Sequence, residues 1–516
     1  MPGLAIVVAV LAVLVAVVVR LTRTKPGLPP GPKPWPIIGN VLDMPSIRPW
    51  EKYREWCETY NSDLVYLHIP TQPSILVGSL KAATELFEKR SHIYSDRTRN
   101  VMYEMMHADF HFAFMGYTPT WRAHRRTFHS YFNPATLDRF YPVQLQHARE
   151  FLSSILKSPE NSRKHARHMI TSVIFAITYG QKITTMDDEN VTSAEIAVEG
   201  ISLAAIPGIF WVEFLPFLRY IPSWVPGATS VRTAKKYLPY VLGMRDKPFE
   251  EVKAAVDNGT ATPSLVSNLI EENRSKPRTP EESAMNESIA RNVGGQAYAA
   301  GADTASSSAQ SFLLAMALYP AIQKKAQGQL DCVVGPNRLP EHEDLEHLPY
   351  IRAIVLEVMR WFPITPFAVP HQSTADDVYE GYHIAKGTRL IPNVWAMLMN
   401  PEDYPEPESF YPDRFLGADG NIDPNVRDPT AVAFGFGRRI CPGKQLALNM
   451  LAIYIASTLY TFDITPGFDA SGKPVQLTTE MLGGMISLPR DVPTGLKPRS
   501  EAAVRLINEA ATELAL

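Results

Sequence analysis

Apolar residues recur every three to four positions over much of the stretch from 79 to 360, the period of helices packed on a common core. The pattern predicts helices over 79–90, 118–131, 136–157, 163–179, 230–255, 288–318 and 344–361, and another over 443–460. Two short β-rich runs, 63–68 and 73–77, flank a Pro-Thr-Gln turn and predict a hairpin. The stretch 257–286 is polar and rich in Asn, Thr, Pro, Glu and Ser, and predicts a surface loop. From 371 to 440 the chain is Pro-rich and irregular with short strands, and the tail beyond 460 predicts loops and strands. The fold class that follows is mainly α with a small β region.

One run breaks the amphipathic rule. Leu4 to Val19 is wholly apolar, and Leu21 prolongs it past Arg20. That is near the lower limit of about 17 residues for a bilayer-spanning helix. A secretory signal would carry basic residues before the run and a small-x-small cleavage site after it. Here no charge precedes the run, and Arg20, Arg23 and Lys25 follow it. The expectation is an uncleaved single-pass anchor, with the bulk of the chain kept cytosolic by the positive-inside rule. A Pro-rich stretch, Pro26 to Pro36, then predicts a stiff, extended spacer. The expected organisation is an anchor over 1–21, a hinge over 22–40 and one main domain over 41–516. On that topology the sequons at Asn190, Asn258, Asn273 and Asn286 are chance matches.

Composition narrows the function. The chain has 516 residues, 45% of them hydrophobic, enough to bury a sizeable core. Fifty basic against 53 acidic side chains leave a net charge of −3, which gives no reason to expect a nucleic-acid partner. The cysteines, Cys57, Cys332 and Cys441, are too scattered for a zinc site or a disulfide framework.

Of the three, Cys441 has the informative surroundings: Phe434-Gly-Phe-Gly437-Arg-Arg439-Ile-Cys441-Pro-Gly443. A thiolate is the electron-rich ligand that favours O–O cleavage on haem iron, and it needs an electropositive, hydrogen-bonding surround. Gly437 and Gly443 allow a tight turn that points backbone N–H groups at sulfur. Arg439 suits a carboxylate such as a haem propionate, and Phe434 can shield the ring. Alone, the cysteine would be an ordinary buried thiol. Upstream, Ala297, Gly301, Thr304, Ala305 and Ser308 share one helix face of small residues, with Asp303 beside Thr304. That face serves either a close helix contact or a flat ligand, with Thr304 and Asp303 suited to holding oxygen and relaying protons.

Glu357 and Arg360 are spaced i, i+3, and Arg414 downstream could complete a buried Glu–Arg–Arg network; alone, the pair is a common surface feature. Trp121 and Arg125 are stacked at i, i+4, facing either an anion or solvent. Arg122 and Arg126, with Arg438 and Lys444, form either a cationic face for an acidic electron donor or a solvated charge run. His371 is either an anion ligand or a hydrogen-bonded loop histidine.

In order along the chain these motifs are W-x-x-x-R, A-G-x-D-T, E-x-x-R, F-x-P-x-R-F and F-x-x-G-x-R-x-C-x-G. Together they resemble the cytochrome P450 superfamily over nearly the whole chain, and in tenor its fungal, membrane-anchored members of secondary metabolism. The resemblance implies that 41–516 is a haem-thiolate catalytic domain of that fold. It implies haem b (iron protoporphyrin IX) with Cys441 as axial iron ligand and Trp121, Arg125, His371 and Arg439 on the propionates. Asp303 and Thr304, with Gly301, would serve oxygen activation, and Glu357, Arg360 and Arg414 would be structural. Ala305 stands where many relatives have Thr or Ser, and Asp413 where Glu is commoner.

The implied activity is a monooxygenase of the endoplasmic reticulum membrane. Its electrons would come from NADPH through a separate cytochrome P450 reductase, with cytochrome b5 as a further candidate donor. Its substrate would be a small lipophilic metabolite, a terpenoid before a polyketide or an indole. By the same resemblance the pocket walls are Met102–Met115, Ile206–Trp224, Ile364–Val369 and Met481–Ile486, with Glu104 or Asp109 available to an amine. A haem-thiolate isomerase or dehydratase without a reductase is the alternative enzyme, and a membrane haem carrier or sensor the non-enzymatic one.

Overall fold

The computed structural model describes residues 27–514 apart from 46, 207, 470, 491 and 492. The predicted anchor over 1–21, and the hinge up to residue 26, lie outside the described residues. Among the described residues no helix is long and apolar enough to cross a membrane.

The organising element is the helix Pro280–Leu318, 39 residues and so about 58 Å long. It starts where Thr279 and Glu282 cap each other reciprocally and Pro280 takes the first helical position. Its second half is buried all round, from Ala305 to Ala317, which is why the apolar stripe there has no clear edge. The helices Ser162–Tyr179, Thr229–Asp257 and Lys444–Thr461 pack around it, and together they form the main core. The mainly helical expectation holds; the helix expected over 288–318 already starts at Pro280, and those expected over 79–90 and 344–361 are each split into two shorter elements.

The predicted hairpin is present: Leu64–Leu67 pairs antiparallel with Ser74–Val77. Ser74–Val77 then pairs in parallel with Arg389–Pro392, which carries His371–Gln372 on its far side. Both faces of this sheet are covered, and the strand period of two sorts its side chains. Leu64, Ile75 and Val77 join one cluster with Phe87 and Leu390, while Val65, Leu67 and Leu76 meet Tyr53 and Trp56 of the helix Pro49–Thr59.

Three expectations change. The polar stretch 257–286 is largely helical: Leu265–Ser275 is closed by a Ser264–Ser267 capping box and buries Leu265, Val266 and Ile270. Its three apolar positions are enough to dock one face, and composition hid them. The tail likewise ends in a helix, Glu501–Glu513, with Ala503, Leu506, Ile507 and Ala510 buried at helical spacing. The hinge is not a free spacer where it is described. Tyr66 donates its N–H to the Pro30 carbonyl at 2.8 Å, and a Cβ on Gly31 would stand 2.0 Å from the Tyr66 oxygen. A glycine there lets the hinge lie directly on the sheet.

Candidate active site

The Cys441 loop is shaped by two glycines, both at positive φ, and at Gly437 no other residue fits. Gly435 and Gly437 have φ of +75° and +52°, and a Cβ on Gly437 would fall 2.1 Å from the Phe87 carbonyl oxygen. The loop closes when Cys441 donates its N–H to the Phe434 carbonyl at 2.8 Å. The thiol then sits just before the helix Lys444–Thr461, with the N–H groups of Gly443 and Lys444 directed at sulfur. Burial pushes this thiol up, while those N–H groups and the charges of Arg125 and Lys444 pull the other way. A coordinated cation would complete the shift, because a metal-bound thiol is deprotonated outright. Gly443 needs no special conformation, since a Cβ there would lie at an ordinary 3.9 Å from sulfur.

Cys441 opens onto a cavity of about 330 Å³, and so do Phe434, Trp121, Arg125, His371 and Arg439. The opposite wall is the small-residue face of the long helix: Ala297, Ala300, Gly301, Thr304, Ala305 and Ser308. Gly301 also has a packing role, because a Cβ there would meet Ile174 at 3.1 Å.

The cationic side of the cavity holds one residue that sequence reasoning missed. Arg97 is 8% exposed and lines the cavity with Arg125 and Arg439. The Arg97 guanidinium donates to the carbonyls of Ala113 (3.1 Å) and Pro370 (3.0 Å), while its backbone N–H donates to Asp96 Oδ1 (2.9 Å). Arg439 donates to Ser95 (2.7 Å), Phe112 and Met115 carbonyls and lies 4.2 Å over the Trp121 ring. Burial lowers all three guanidinium pKa values; Asp96 opposes this at Arg97 and Arg439, and Cys441 at Arg125. No carboxylate hydrogen-bonds to any of the three among the described residues. Such a convergence of charge is stable only if an anion supplies the missing partners. His371 donates Nδ1–H to the Tyr94 carbonyl (2.6 Å) and stacks on Phe87 at 4.3 Å. A thiol facing a flat, small-residue helix, with buried cations at one edge, fits a haem whose propionates lie among Arg97, Arg125, Arg439, Trp121 and His371. Nothing in the local sequence separates Arg97 from Arg99, which pairs with Glu104 at the surface.

Asp303 and Thr304 are adjacent in sequence, but their side chains line different cavities. Thr304 lines the cavity and donates its hydroxyl to the Ala300 carbonyl at 2.6 Å. Asp303 turns away into a second, small cavity, where Arg167 holds it at 2.8 Å. Arg167 is shared with Glu195 at 2.9 Å. Burial raises the Asp303 pKa, Arg167 opposes it and Glu195 adds to it.

The Glu–Arg–Arg network forms, with Glu357 and Arg360 fully buried and Arg414 partly so. Arg360 grips both Glu357 oxygens at 2.7 and 2.8 Å, and Arg414 reaches Oε1 at 3.2 Å. The arginines also donate to the carbonyls of Leu398, Pro405, Pro407 and Ser409. The network therefore ties down 398–409, and the helix that carries Glu357 and Arg360 itself packs on Thr430–Ala433 and Lys444–Thr461, which flank the Cys441 loop. Asp413 pairs with Lys325 and Tyr350 and leaves Arg414 undisturbed.

The expected pocket walls are partly right. His111, Phe112 and Phe114 line the cavity, as do Ile364, Val369, Met485 and Ile486, while Met102 and Met106 are core residues. The run Ile206–Trp224 lines none of it. Trp211, Phe217, Tyr220 and Trp224 are exposed on the outside, and Val198 and Ile201 of the preceding helix supply that wall instead. Glu104 is paired with Arg99 and Arg219, and Asp109 faces solvent.

The family profile for Cytochrome P450 matches residues 29–489. The chain is 39% identical over 486 residues to "Cytochrome P450 monooxygenase ple1" of Rhodocybe pseudopiperita, covering 94% of this chain and 92% of that one. It is 38% identical over 508 residues to "Cytochrome P450 monooxygenase 98" of Postia placenta, covering 98% and 97%. It is also 36% identical over 494 residues to "Tryptamine 4-monooxygenase" of Psilocybe cyanescens, covering 95% and 96%.

Proposed function

The chain belongs to the cytochrome P450 family and is a haem-thiolate monooxygenase, and from that premise we propose that it oxidises a small, neutral, lipophilic secondary metabolite, a terpenoid before a polyketide or an indole. One observation carries the reading: among the described residues lining the cavity there is no aspartate or glutamate. An ammonium group drawn into such a cavity would be desolvated without a partner, which is costly. Glu104, the nearest thing to an acid on that side of the sequence, is spent on two arginines. The relative named for tryptamine therefore lends its reaction class to this proposal, and its amine substrate does not follow. Phe, Ile, Met and Ala walls suit a hydrocarbon skeleton.

When bound, haem supplies the dioxygen chemistry, with Cys441 as its electron-rich ligand. The chain's residues do the rest. Arg97, Arg125 and Arg439 would hold the carboxylates of the group. The small face of the long helix lines the same cavity as Cys441, and Thr304 would present a hydroxyl there. Electrons would come from NADPH through a separate reductase, with cytochrome b5 as a second donor. Exposed Arg122, Arg126 and Arg438 offer an acidic partner a docking face beside the Cys441 loop. Residues 1–21 would anchor the protein in the endoplasmic reticulum membrane with the catalytic domain cytosolic.

The test is reconstitution of the full chain with reductase, NADPH and dioxygen, against neutral terpenes, aromatic polyketides, indole and tryptamine. A reductase-dependent product from a neutral substrate is expected, with tryptamine at least tenfold poorer. Preference for tryptamine would overturn the neutral-substrate reading. Cys441→Ala should abolish both turnover and the red-shifted band of the CO complex.

A further inference from the structure

One wall of the cavity is set in place from outside it. Met481–Leu482 pairs with Leu488–Pro489 as a hairpin of two residues a side, and its tip puts Met485 and Ile486 on the cavity. So short a ladder does not fix its own tip, because an isolated two-stranded hairpin is marginally stable at best. Gly483 and Gly484 bring no side chain to anchor it, and a Cβ on Gly483 would meet nothing within 4 Å. Among the described residues, the hydrogen bonds that tie 481–489 to the rest of the chain both go to Ser487. Its N–H donates to the Ile364 carbonyl at 2.7 Å. Its carbonyl accepts from Ser307 Oγ at 2.6 Å, across 180 positions of sequence. Its own hydroxyl turns back to the Leu482 carbonyl at 3.0 Å and closes the tip.

Each outside partner of Ser487 belongs to another wall. Ile364 lines the cavity together with Thr365. Ser307 lies on the long helix between Thr304 and Ser308, which both line the cavity, and it stands about 4.5 Å along the axis from Thr304. One residue therefore joins walls that are far apart in the chain: the Thr304 face, the 364–365 turn and the 485–486 tip. Ser307 and Ser487 are both 0% exposed, so water cannot replace these bonds, and a buried polar group left unpaired is costly. The junction is a fixed one.

We propose that Ser307 and Ser487 are positioning residues that hold the Met485–Ile486 tip at a set distance from Thr304, and thereby set the size and shape of the molecule the cavity accepts. Neither serine lines the cavity; both act through the residues beside them. This rests on the cavity being the site of oxidation, and it adds what governs selectivity there. A displaced tip would be felt by a ligand large enough to reach Met485 and Ile486, and a small ligand bound at the iron would not sense it.

The experiment is an optical titration of the haem band in the purified full chain. The probes bind haem iron through an imidazole nitrogen and differ in bulk: imidazole, 4-phenylimidazole and clotrimazole. Ser307→Ala, Ser487→Ala and Met485→Ala are compared with the native chain at equal haem content. Ser307→Ala removes the bond to the long helix. It should weaken the tighter of the two bulky probes about fivefold or more, the scale of one lost hydrogen bond, with imidazole within about twofold. Ser487→Ala keeps both bonds to the other walls, since its backbone makes them, and every probe should stay within about twofold of native. Met485→Ala should shift the same bulky probe and leave imidazole unchanged. Equal effects on all the probes in Ser307→Ala, or none, overturn the positioning role. So does a loss in Ser487→Ala as large as in Ser307→Ala, or indifference of both bulky probes to Met485→Ala. A native chain whose haem band no probe shifts overturns the reading of the cavity as well.

Discussion

At the scale of single residues, sequence neighbours take separate paths. Asp303 and Thr304 are adjacent, yet a helix turns successive side chains about 100° apart. Thr304 faces the cavity while Asp303 meets Arg167. For Asp303 to pass a proton toward Thr304 it must leave Arg167, and Glu195 already shares that guanidinium and can keep it paired. Asp303→Asn should therefore lower turnover about 100-fold or more, the scale of a positioned proton donor, without changing the spectrum of the CO complex. Turnover within about twofold of the native chain would remove Asp303 from proton delivery. The dipeptide was legible in the sequence; its orientation was not, because the partner that sets it is 136 residues away. Arg97 was hidden for the same reason. The Cys441 loop was legible because nearly all of its determinants lie within ten residues of each other.

At the scale of elements, the helix Pro349–Trp361 is buried along nearly its whole length, and Glu357 and Arg360 are both 0% exposed. Their value lies in completeness. Glu357 accepts from Arg360, Arg414 and the Tyr411 N–H (2.8 Å). Removing its charge leaves two buried guanidinium groups short of an anion, which typically costs about 3–5 kcal/mol. Glu357→Gln should therefore lower thermal stability sharply and yield protein poor in haem, because 398–409 loses its tether. An unchanged melting temperature would make the network ornamental. Gly301→Val tests the packing of the long helix in the same way: its side chain would press on Ile174, and overpacking of that kind costs about 1–3 kcal/mol. The acid–base spacing could be read from sequence, whereas its burial depended on the 398–409 segment folding over it. Helices with a wide apolar face were likewise predictable. Leu265–Ser275 and Glu501–Glu513 were not, because three or four buried positions in a polar or Pro-rich setting are a weak signal.

For the whole molecule, acid and lipid are the two conditions that should matter most. His342, stacked on Tyr141 at 3.8 Å, is held by burial at a pKa of about 4 against an ordinary 6.5. Above pH 6.5 it is neutral folded or unfolded and contributes nothing to the pH dependence. As pH falls from 6.5 to 4 only the unfolded chain takes up the proton, so stability declines, by about 3 kcal/mol for this group at pH 4. His342→Phe should flatten the slope of Tm against pH in that window, and an unaltered slope would place the sensitivity elsewhere. The lipid argument starts from the surface. Trp211, Phe217, Tyr220 and Trp224 project outward, as do Trp35, Ile37 and Ile47 near the N-terminus. The two segments border one packed cluster, on which Val41, Met44 and Phe214 all rest. An exposed apolar area built from two distant segments is unusual on a water-facing surface. Its aromatics suit the boundary between headgroups and acyl chains. Trp35 and Ile37 of this area belong to the hinge itself. A chain lacking residues 1–26 should therefore still float with phosphatidylcholine vesicles, and the triple variant Trp211→Ser, Phe217→Ser, Trp224→Ser should release it. If the truncated chain with its aromatics intact stays in the aqueous fraction, the patch does not face lipid and the anchor alone must hold the protein at the membrane.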